Sequence, residues 1–486
     1  MTEANGSTSH IFTTISGQRP HLHLVSMAHA GPGLVSGVPW PLAGSQAFCG
    51  MDAATRRRLA SQLMAALQQD VLATWFMHSV DRERGGFLPD LDRRWRPEGR
   101  QDRLLEFQAR QTMSAARLAV EFSSEHRWLE LALHGFRALR DTLWDAQYGG
   151  WYQLVDAEGR PLARGTKHAH GTAYAIRACL AIHRASGDPQ ALKLAWEGVA
   201  WLERSLHDSV HGGYHGWACR DGRPILKPED APDGQVDSDP LGHGIGHKDI
   251  NVTSDLLKTF AELHAAAPSS LTGQRLEELR GCITRMLTPD GALHYVAHAD
   301  WKPVPGPERF GYVLQTAFRL ASAGSLCGWP RDATFETVRR MVSHATECGW
   351  HRGGGFMTGG AASPPYSLEG HSLQVSTRSW WVQLEGLRSL ILLAVQNHPT
   401  RAFFADRLEA HLRFIDSQMR DHRFGGWYAT APADLPWPER LIPSRRRVCL
   451  AKGNIWKDSS HEVDAYLNGI RMLLGLDSEA PLPRFG

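Results

Sequence analysis

A histidine near the end of the chain is a candidate for proton transfer. His461 lies in the string NIWKDSSHEVDAYLNGI, directly after the Ser459-Ser460 pair, which is a plausible N-cap for a final helix. The positive end of a helix dipole disfavours a charged imidazole, so a histidine at this position is suited to act as a neutral base near pH 7. A capping or surface role is the alternative that the sequence leaves open.

Two adjacent tryptophans mark a second candidate. On a helix, Trp381 shares a face with Glu385 and Arg388, whereas Trp380 begins the apolar stripe that continues through Leu384. Aromatic rings stack on the apolar faces of sugars. We therefore expect Trp380 to pack in the core and Trp381 to face a pocket with a carboxylate and a guanidinium, the alternative being a solvated outer face.

A histidine-rich string raises the question of a metal. GHGIGHKDINVTSDLLKTF carries His243, His247, Asp249 and Asp255, and two histidines with a nearby carboxylate are a possible metal set. The two glycines between the histidines predict a loop, which does not fix the spacing, so we expect no metal. The chain has no Walker loop, no G-x-G-x-x-G after a strand and no G-x-S-x-G elbow, and we expect no cofactor.

Composition narrows the partners and the compartment. The net charge of +2 gives no broad field for nucleic acid or for an anionic membrane. The seven cysteines are odd in number and form no C-x-x-C pair, which favours a reducing, cytoplasmic compartment. Residues 1–50 are rich in Gly and Pro without periodicity, and we interpret them as a loose extension before one domain over 51–486.

A repeated turn organises the chain. The pattern D-x-x-x-G-G-aromatic begins at Asp81, Asp145, Asp208 and Asp421. Two weaker versions, around Gly291 and Gly354, complete a set of six at roughly regular spacing. Glycine accepts a positive φ, so these pairs predict tight turns between helices.

Helical stripes fill the segments between the turns. Apolar residues at spacings of three and four predict twelve amphipathic helices, over 53–78, 102–121, 126–143, 169–186, 189–206, 249–266, 272–287, 311–325, 333–346, 379–397, 400–419 and 460–475. Twelve helices and six turns give six helical hairpins, and the economical closed form is an all-α (α/α)6 barrel with short β-hairpins in its loops. An open solenoid would need capping repeats.

Several strings resemble the N-acylglucosamine 2-epimerase superfamily, to which cellobiose 2-epimerases and mannose isomerases are related. They are FQARQTM around Arg110, GGWYQLVDAEGRPLARGTK ending at Lys167, KDINVTSDLL from Lys248, FGYVLQTAF from Phe310, TRSWWVQLEGL, and WKDSSHEV. The resemblance covers residues 51–480. It implies an (α/α)6 barrel that isomerises or epimerises sugars without a nucleotide cofactor, by removing the proton beside an open-chain carbonyl.

The resemblance also assigns residues, with departures. It implies that Arg110 binds sugar oxygens, that His461 is the histidine of the last inner helix, and that Trp381 and Glu385 line the cavity. Lys248 and Asn251 match a lysine and an asparagine that precede another superfamily histidine. That histidine is Asp255 here, and the superfamily string G-H-x-x-E reads with Tyr312 and Gln315 in place of the histidine and the glutamate. Asp464 stands near the place of an arginine.

Three hypotheses follow. The first is a sugar isomerase or epimerase in which His461 and Asp255 transfer protons and Tyr312 polarises the carbonyl. The second is a glycoside hydrolase or lyase that uses Asp255 with Glu385 or Glu308, and the third is a catalytically silent sugar-binding protein. The expected substrate-binding residues are Arg110, Trp381, Glu385, Asn251, Lys248, Gln315 and His170. The expected partner is a mono- or oligosaccharide, with no nucleic acid and no membrane, and a homodimer is an open alternative to a monomer.

Overall fold

A computed structural model describes residues 51–232, 234, 237–359, 366–368, 371–373 and 377–476, with backbone alone at 366–368 and 371–373. The predicted extension over residues 1–50 lies outside the described residues. The boundary at residue 51 therefore stays a prediction.

Twelve long helices account for nearly half of the described chain. Six are outer helices: α1 (Ala53–Leu67), α3 (Arg127–Arg137), α5 (Pro189–Ser205), α7 (Ser270–Met286), α9 (Arg331–Cys348) and α11 (Arg401–Phe414). Six are inner helices: α2 (Leu105–Glu121), α4 (Ala169–Ser186), α6 (Ile250–Ala266), α8 (Phe310–Cys327), α10 (Trp380–Val395) and α12 (Ser460–Leu474). The helix predicted over 53–78 is observed as α1 and a separate short helix at Trp75–His78, and the short helix Pro443–Leu450 was not predicted.

The inner helices close into a ring. Each inner helix packs against the next one in chain order, and α12 packs against α2 to complete the circle. Outer helices α3, α5, α7, α9 and α11 each pack on the inner helix that precedes them, whereas α1 packs on α12. The predicted (α/α)6 barrel is therefore confirmed.

Burial distinguishes the two layers. Every residue of α4 from Ala169 to Leu180 is buried, as expected for a helix enclosed on all sides. On outer helix α7 the buried side chains fall on one stripe, through Leu276, Leu279, Ile283 and Met286. The apolar spacing in the sequence thus set which face of each outer helix turns inward.

Four two-stranded antiparallel sheets lie in the loops. They pair β1 (Arg103–Leu104) with β2 (Leu154–Val155), β3 (Lys167–His168) with β4 (Trp217–Ala218), β5 (Lys248–Asp249) with β6 (Val296–Ala297), and β7 (Tyr366–Leu368) with β8 (His371–Leu373). The registers join Arg103 to Val155, Lys167 to Ala218 and Lys248 to Ala297. Since β1, β3 and β5 run directly into α2, α4 and α6, these pairings fix where three inner helices begin.

The glycine turns form as predicted. In the second turn the amide of Asp145 donates to the carbonyl of Gly150, and the amide of Gly149 donates back to Asp145. Gly149 and Gly150 have φ values of +70° and +73°, and a Cβ on Gly150 would collide with the ring of Trp201. The weaker turns at Gly291 and Gly354 also form, with Thr288 and His351 in place of the aspartate.

A buried cation ties each of four turns to the start of an inner helix. We call Arg103, Lys167, Lys248 and Arg378 the anchor cations. Lys248 Nζ donates to Asp208 Oδ2 at 2.6 Å, to the carbonyl of Gly212 at 2.7 Å and to that of Ala299 at 2.9 Å. The other three donate in the same way to the carbonyl of the first glycine in a turn, at Gly85, Gly149 and Gly354.

Among the residues that the structure describes, none belongs to a helix that is long and apolar enough to span a lipid bilayer.

Candidate active site

The first turns of the inner helices bring six side chains to one end of the barrel. We call Glu106, His170, Asn251, Tyr312, Trp381 and His461 the site ring. Five of them are the second residue of their helix, and Tyr312 is the third of α8. The ring thus takes one residue from each inner helix at nearly the same level.

His461 is the residue of the ring best arranged to accept a proton. Its Nδ1 lies 2.9 Å from Glu385 Oε1. Because a carboxylate accepts a hydrogen bond, Nδ1 carries the hydrogen and the lone pair of the neutral imidazole is at Nε2. Within the described part of the chain, Nε2 has no hydrogen-bond partner, and the side chain is 11% exposed.

Glu385 is held as a carboxylate. It is 1% exposed, and burial by itself would raise its pKa. Arg388 forms an ion pair with its Oε2, and this charge together with the bond from His461 lowers the pKa below its usual value. Glu385 can therefore orient His461 and stabilise the imidazolium that forms when His461 takes a proton.

Two aromatic rings stand beside His461. The Trp381 ring centre lies 6.0 Å from that of His461 and 4.9 Å from that of Tyr312. Trp381 packs directly over Gly311, where a Cβ would collide with its indole. Trp380, in contrast, is 7% exposed and belongs to the hydrophobic core, so one indole of the pair packs and the other faces the site.

Tyr312 is a proton donor rather than a base. Burial raises the pKa of its phenol above the usual 10, although Arg309 opposes the shift. Its ring stacks on Tyr295 at 4.5 Å. The hydroxyl therefore stays protonated at neutral pH and can donate to a carbonyl oxygen.

His170 lies between two carboxylates. Its Nδ1 is 3.1 Å from Glu106 Oε1, and its Nε2 is 3.1 Å from Asp255 Oδ2 and 3.1 Å from the Asn251 amide nitrogen. Arg110 approaches the same Nε2 at 3.4 Å. Burial disfavours the charged imidazole, but Asp255 and Glu106 outweigh burial and raise its pKa. The raised pKa favours the imidazolium, which can donate from Nδ1 to Glu106 and from Nε2 to Asp255.

The sequence assigned proton transfer to Asp255 together with His461, but the structure places Asp255 against other groups. It is fully buried, and it contacts Arg319 and His170 instead. Burial would raise its pKa, but Arg319 and His170 lower it far below the usual range. A carboxylate held so firmly in its charged form is a poor proton carrier, and the carboxylate partner of His461 is Glu385.

Lys248 also lies elsewhere than expected. Its ammonium is fully buried and donates to the three oxygens described for this anchor cation. Asn251, three residues later, is the residue of this string that reaches the ring.

Arg110 and Gln315 line the site from below the ring. Arg110 lies 3.5 Å from Asp458 Oδ2, and its guanidinium is 4.1 Å from the centre of the Tyr174 ring. Gln315 is 3% exposed, and within the described residues its Oε1 has no hydrogen-bond partner.

The sequence missed Glu106 and Arg319. For Glu106 a signal was present: each anchor cation precedes a ring residue by three positions, and Arg103 stands three positions before Glu106 as Lys167 does before His170. Arg319 carries no such signal. It is recognised only in the fold, where it joins Asp255, Ser254 at 2.6 Å and the Tyr174 hydroxyl at 3.0 Å.

The histidine-rich string does not converge. His243 lies between Asp239 and Asp249, at 3.6 and 3.5 Å, while the His247 ring packs 5.2 Å from that of His298. Across the described ranges, no group of three or more His, Cys, Asp or Glu side chains is arranged to hold a metal ion.

Comparison with known proteins gives the same family as the motifs. A sequence model of the N-acylglucosamine 2-epimerase family matches residues 85–221. The cellobiose 2-epimerase of Bacteroides fragilis is 23% identical over 282 residues, which cover 56% of this chain and 67% of that enzyme. The crystal structure of the Spirochaeta thermophila cellobiose 2-epimerase superposes with a TM-score of 0.72 at 25% identity, over 86% of this chain and 98% of that one.

The family model and these relatives support the N-acylglucosamine 2-epimerase superfamily. A D-mannose isomerase structure shares the superfamily fold, with a TM-score of 0.67 at 19% identity over 85% of this chain and 97% of that one. The match to a second cellobiose 2-epimerase, from Ruminococcus albus, spans 49% of that protein's length at 28% identity.

One departure from the superfamily pattern affects the surroundings of His170. The position of the histidine expected on α6 holds Asp255, and the imidazole next to it comes from His170 on α4.

Proposed function

We propose that the protein is a carbohydrate isomerase or epimerase that moves a proton beside the open-chain carbonyl of its substrate. The observation that carries the proposal is the Glu385–His461 pair, with Nε2 of His461 unpartnered among the described residues and directed away from its carboxylate. The similar proteins include cellobiose 2-epimerases and a D-mannose isomerase, and this supports the same class of reaction.

In the proposed reaction His461 Nε2 takes the proton from the carbon next to the carbonyl. The charge that develops on the imidazole is stabilised by Glu385, and the negative charge on the carbonyl oxygen is stabilised by the Tyr312 hydroxyl. Trp381 provides a face for stacking the sugar ring. We assign Arg110, Asn251 and Gln315 to hydrogen bonds with sugar oxygens, and we assign Asp255 to the orientation of His170.

The electrostatics oppose the hydrolase alternative. A glycosidase needs one of its two carboxyl groups protonated near neutral pH, as the general acid. The pKa values of Asp255 and Glu385 are both lowered by neighbouring cations despite burial. Glu308, the other candidate, pairs with His344 of the outer helix α9 at 2.8 Å.

Proton exchange in deuterated water tests the proposal. The full chain is incubated with D-mannose, D-glucose or cellobiose, and the C2 proton of the reducing sugar is followed by NMR. We expect the C2 signal to disappear with at least one sugar. New reducing ends without C2 exchange would instead show hydrolysis, and binding with neither change would show a silent sugar-binding protein.

Two variants complete this test. His461→Gln should lower the exchange rate at least about 100-fold, because general base catalysis contributes that much or more. His422→Gln, at a histidine 42% exposed near a turn, is the matched control and should exchange at the wild-type rate.

We also propose a cytoplasmic location, supported by the six described cysteines, all of which are free thiols. Fractionation of the source cells tests the location. Sedimentation velocity of the purified chain decides between a monomer and a homodimer.

A further inference from the structure

Inversion of a sugar at C2 requires a certain number of proton-carrying groups, and the residues of the site ring can be compared with this requirement. The proton leaves one face of the carbon and another returns to the opposite face. Since the reaction is reversible, a site that inverts C2 without turning its intermediate needs two groups that can each hold and release a proton near neutral pH.

His461 satisfies this demand on one side. Its Nε2 is unpartnered within the described chain, and its side chain is partly exposed beside Trp381. It therefore has both a free lone pair and access to a ligand.

His170 does not provide the second group. Glu106 contacts Nδ1 and Asp255 contacts Nε2, both at 3.1 Å. Only 3% of the side chain is exposed. To accept a substrate proton, His170 would have to break one of these contacts and give up its charge between two buried carboxylates.

The other titratable groups in the site ring and next to it are also unsuited to be the second proton carrier. Tyr312 has a pKa above 10, so less than about one molecule in a thousand carries the phenolate at pH 7. Asp255 is fully buried between Arg319 and His170, and its pKa is far below neutrality. Glu106 is fully buried against His170, and its pKa is lowered as well.

We infer that the site transfers protons with one base, His461, on one face of the substrate, and that it interconverts an aldose and a ketose rather than two C2 epimers. This inference rests on the proposed function and specifies its reaction. A single imidazole can move a proton between C2 and C1 on the same face, because both carbons lie in the plane of the enediol intermediate.

The step balances without a further reactant. His461 removes the C2 proton, the C2–H electron pair forms the C1–C2 double bond, and the carbonyl π pair moves onto O1. A proton then passes from O2 to O1. The O2 electron pair forms the new C2 carbonyl, and C1 takes the proton back from the imidazolium.

The early product ratio tests the inference. D-mannose, D-glucose and cellobiose are each supplied to the full wild-type chain, and the first products are identified by NMR. We expect the ketose to form at least 10-fold faster than the C2 epimer. A C2 epimer as the main early product would overturn the inference while leaving the proposed function intact.

The position of the label supplies a second readout. In deuterated water one base on one face should place deuterium in only one of the two C1 positions of the ketose. Equal labelling of both positions would overturn the inference. Absence of C2 exchange with every sugar would overturn the proposed function and this inference with it.

A gain of function tests the same point independently. The double variant Tyr312→His with Gln315→Glu adds a second imidazole and a carboxylate, and we expect it to raise the ratio of epimer to ketose at least 10-fold. Tyr312→Phe is the matched control and should make ketose more slowly without a rise in that ratio. An unchanged ratio in a folded double variant would contradict the inference, and the wild-type ratio decides it where that variant does not fold.

Discussion

At the scale of single residues, the site depends on how one histidine is supported. His461 is poised by Glu385, whose own charge is fixed by Arg388. The neighbouring ring residues are largely engaged with one another, so the chemical contrast between His461 and His170 comes from their hydrogen bonds and not from their residue type.

Glu385→Gln should separate orientation from charge. The amide can still accept a hydrogen bond from Nδ1, but it carries no negative charge to stabilise the imidazolium. We expect kcat to fall about 100-fold with little change in KM. Steady-state kinetics measure both, and Glu336→Gln on the exposed side of α9 is the control. Equal kcat in the two variants would exclude Glu385 from the reaction.

Gly311→Ala should displace Trp381. A Cβ at this position collides with the indole, whereas Gly281 on α7 has no heavy atom within 4 Å of the corresponding point. We expect Gly311→Ala to raise KM several-fold because the stacking face is lost, while Gly281→Ala leaves the kinetics unchanged. An unaltered KM in Gly311→Ala would contradict this cause.

At the scale of elements, the glycine turns and the inner helices form one mechanical unit. An anchor cation binds the turn, and the ring residue follows three positions later. The turns carry no chemistry themselves, but they fix the level at which each inner helix begins.

Lys248→Met should expose the strength of this link. The substitution leaves Asp208, 7% exposed, without the cation that neutralises it. Removal of one partner from a buried pair costs on the order of 3 kcal/mol of unfolding free energy. Urea denaturation measures this loss, and Lys302→Met, which alters an exposed pair with Asp300, should show no measurable change. A midpoint equal to that of the wild type would show that the anchor is dispensable.

The sequence predicted the bounds of the helices better than the contacts between side chains of different helices. The helix α4 was predicted at its observed bounds because its spacing and its Gly187 end are local signals. The sequence assigned proton transfer to Asp255 together with His461, but spacing along one helix does not tell which side chains of different helices meet, and Asp255 meets Arg319 and His170. Lys248 was assigned to the substrate because its string resembles a superfamily string, and only the fold shows that its ammonium faces the turn.

At the scale of the whole molecule, the free energy of unfolding should depend on pH through a histidine that is buried in its neutral form between two helices. His411 of α11 is fully buried, and its Nε2 lies 2.8 Å from the carbonyl of Gln383 on α10. Burial lowers its pKa from 6.5 to about 4, against a small opposing effect of that carbonyl. The unfolded chain therefore binds a proton between these two values that the folded chain does not.

His411→Gln should make the free energy of unfolding less dependent on pH in the acid range. For a lowered histidine pKa, the folded state loses stability as pH falls from about 6.5 to about 4, by roughly 3 kcal/mol in total. We expect the variant to be less stable at pH 7 but to lose less stability on acidification, as measured by urea unfolding at several pH values. The exposed His422→Gln should keep the wild-type slope, and identical slopes in all three proteins would contradict the prediction.

The barrel brings together helices from opposite ends of the described chain. Outer helix α1, with Leu59, Leu63 and Leu67 buried, packs on α12, which carries His461. During synthesis α1 is made before the other described long helices. Its apolar face stays uncovered until α12, the last of them, has been made. A nascent chain therefore acquires His461 in the same event that covers this face. Turnover by the proposed reaction would thus require a complete barrel.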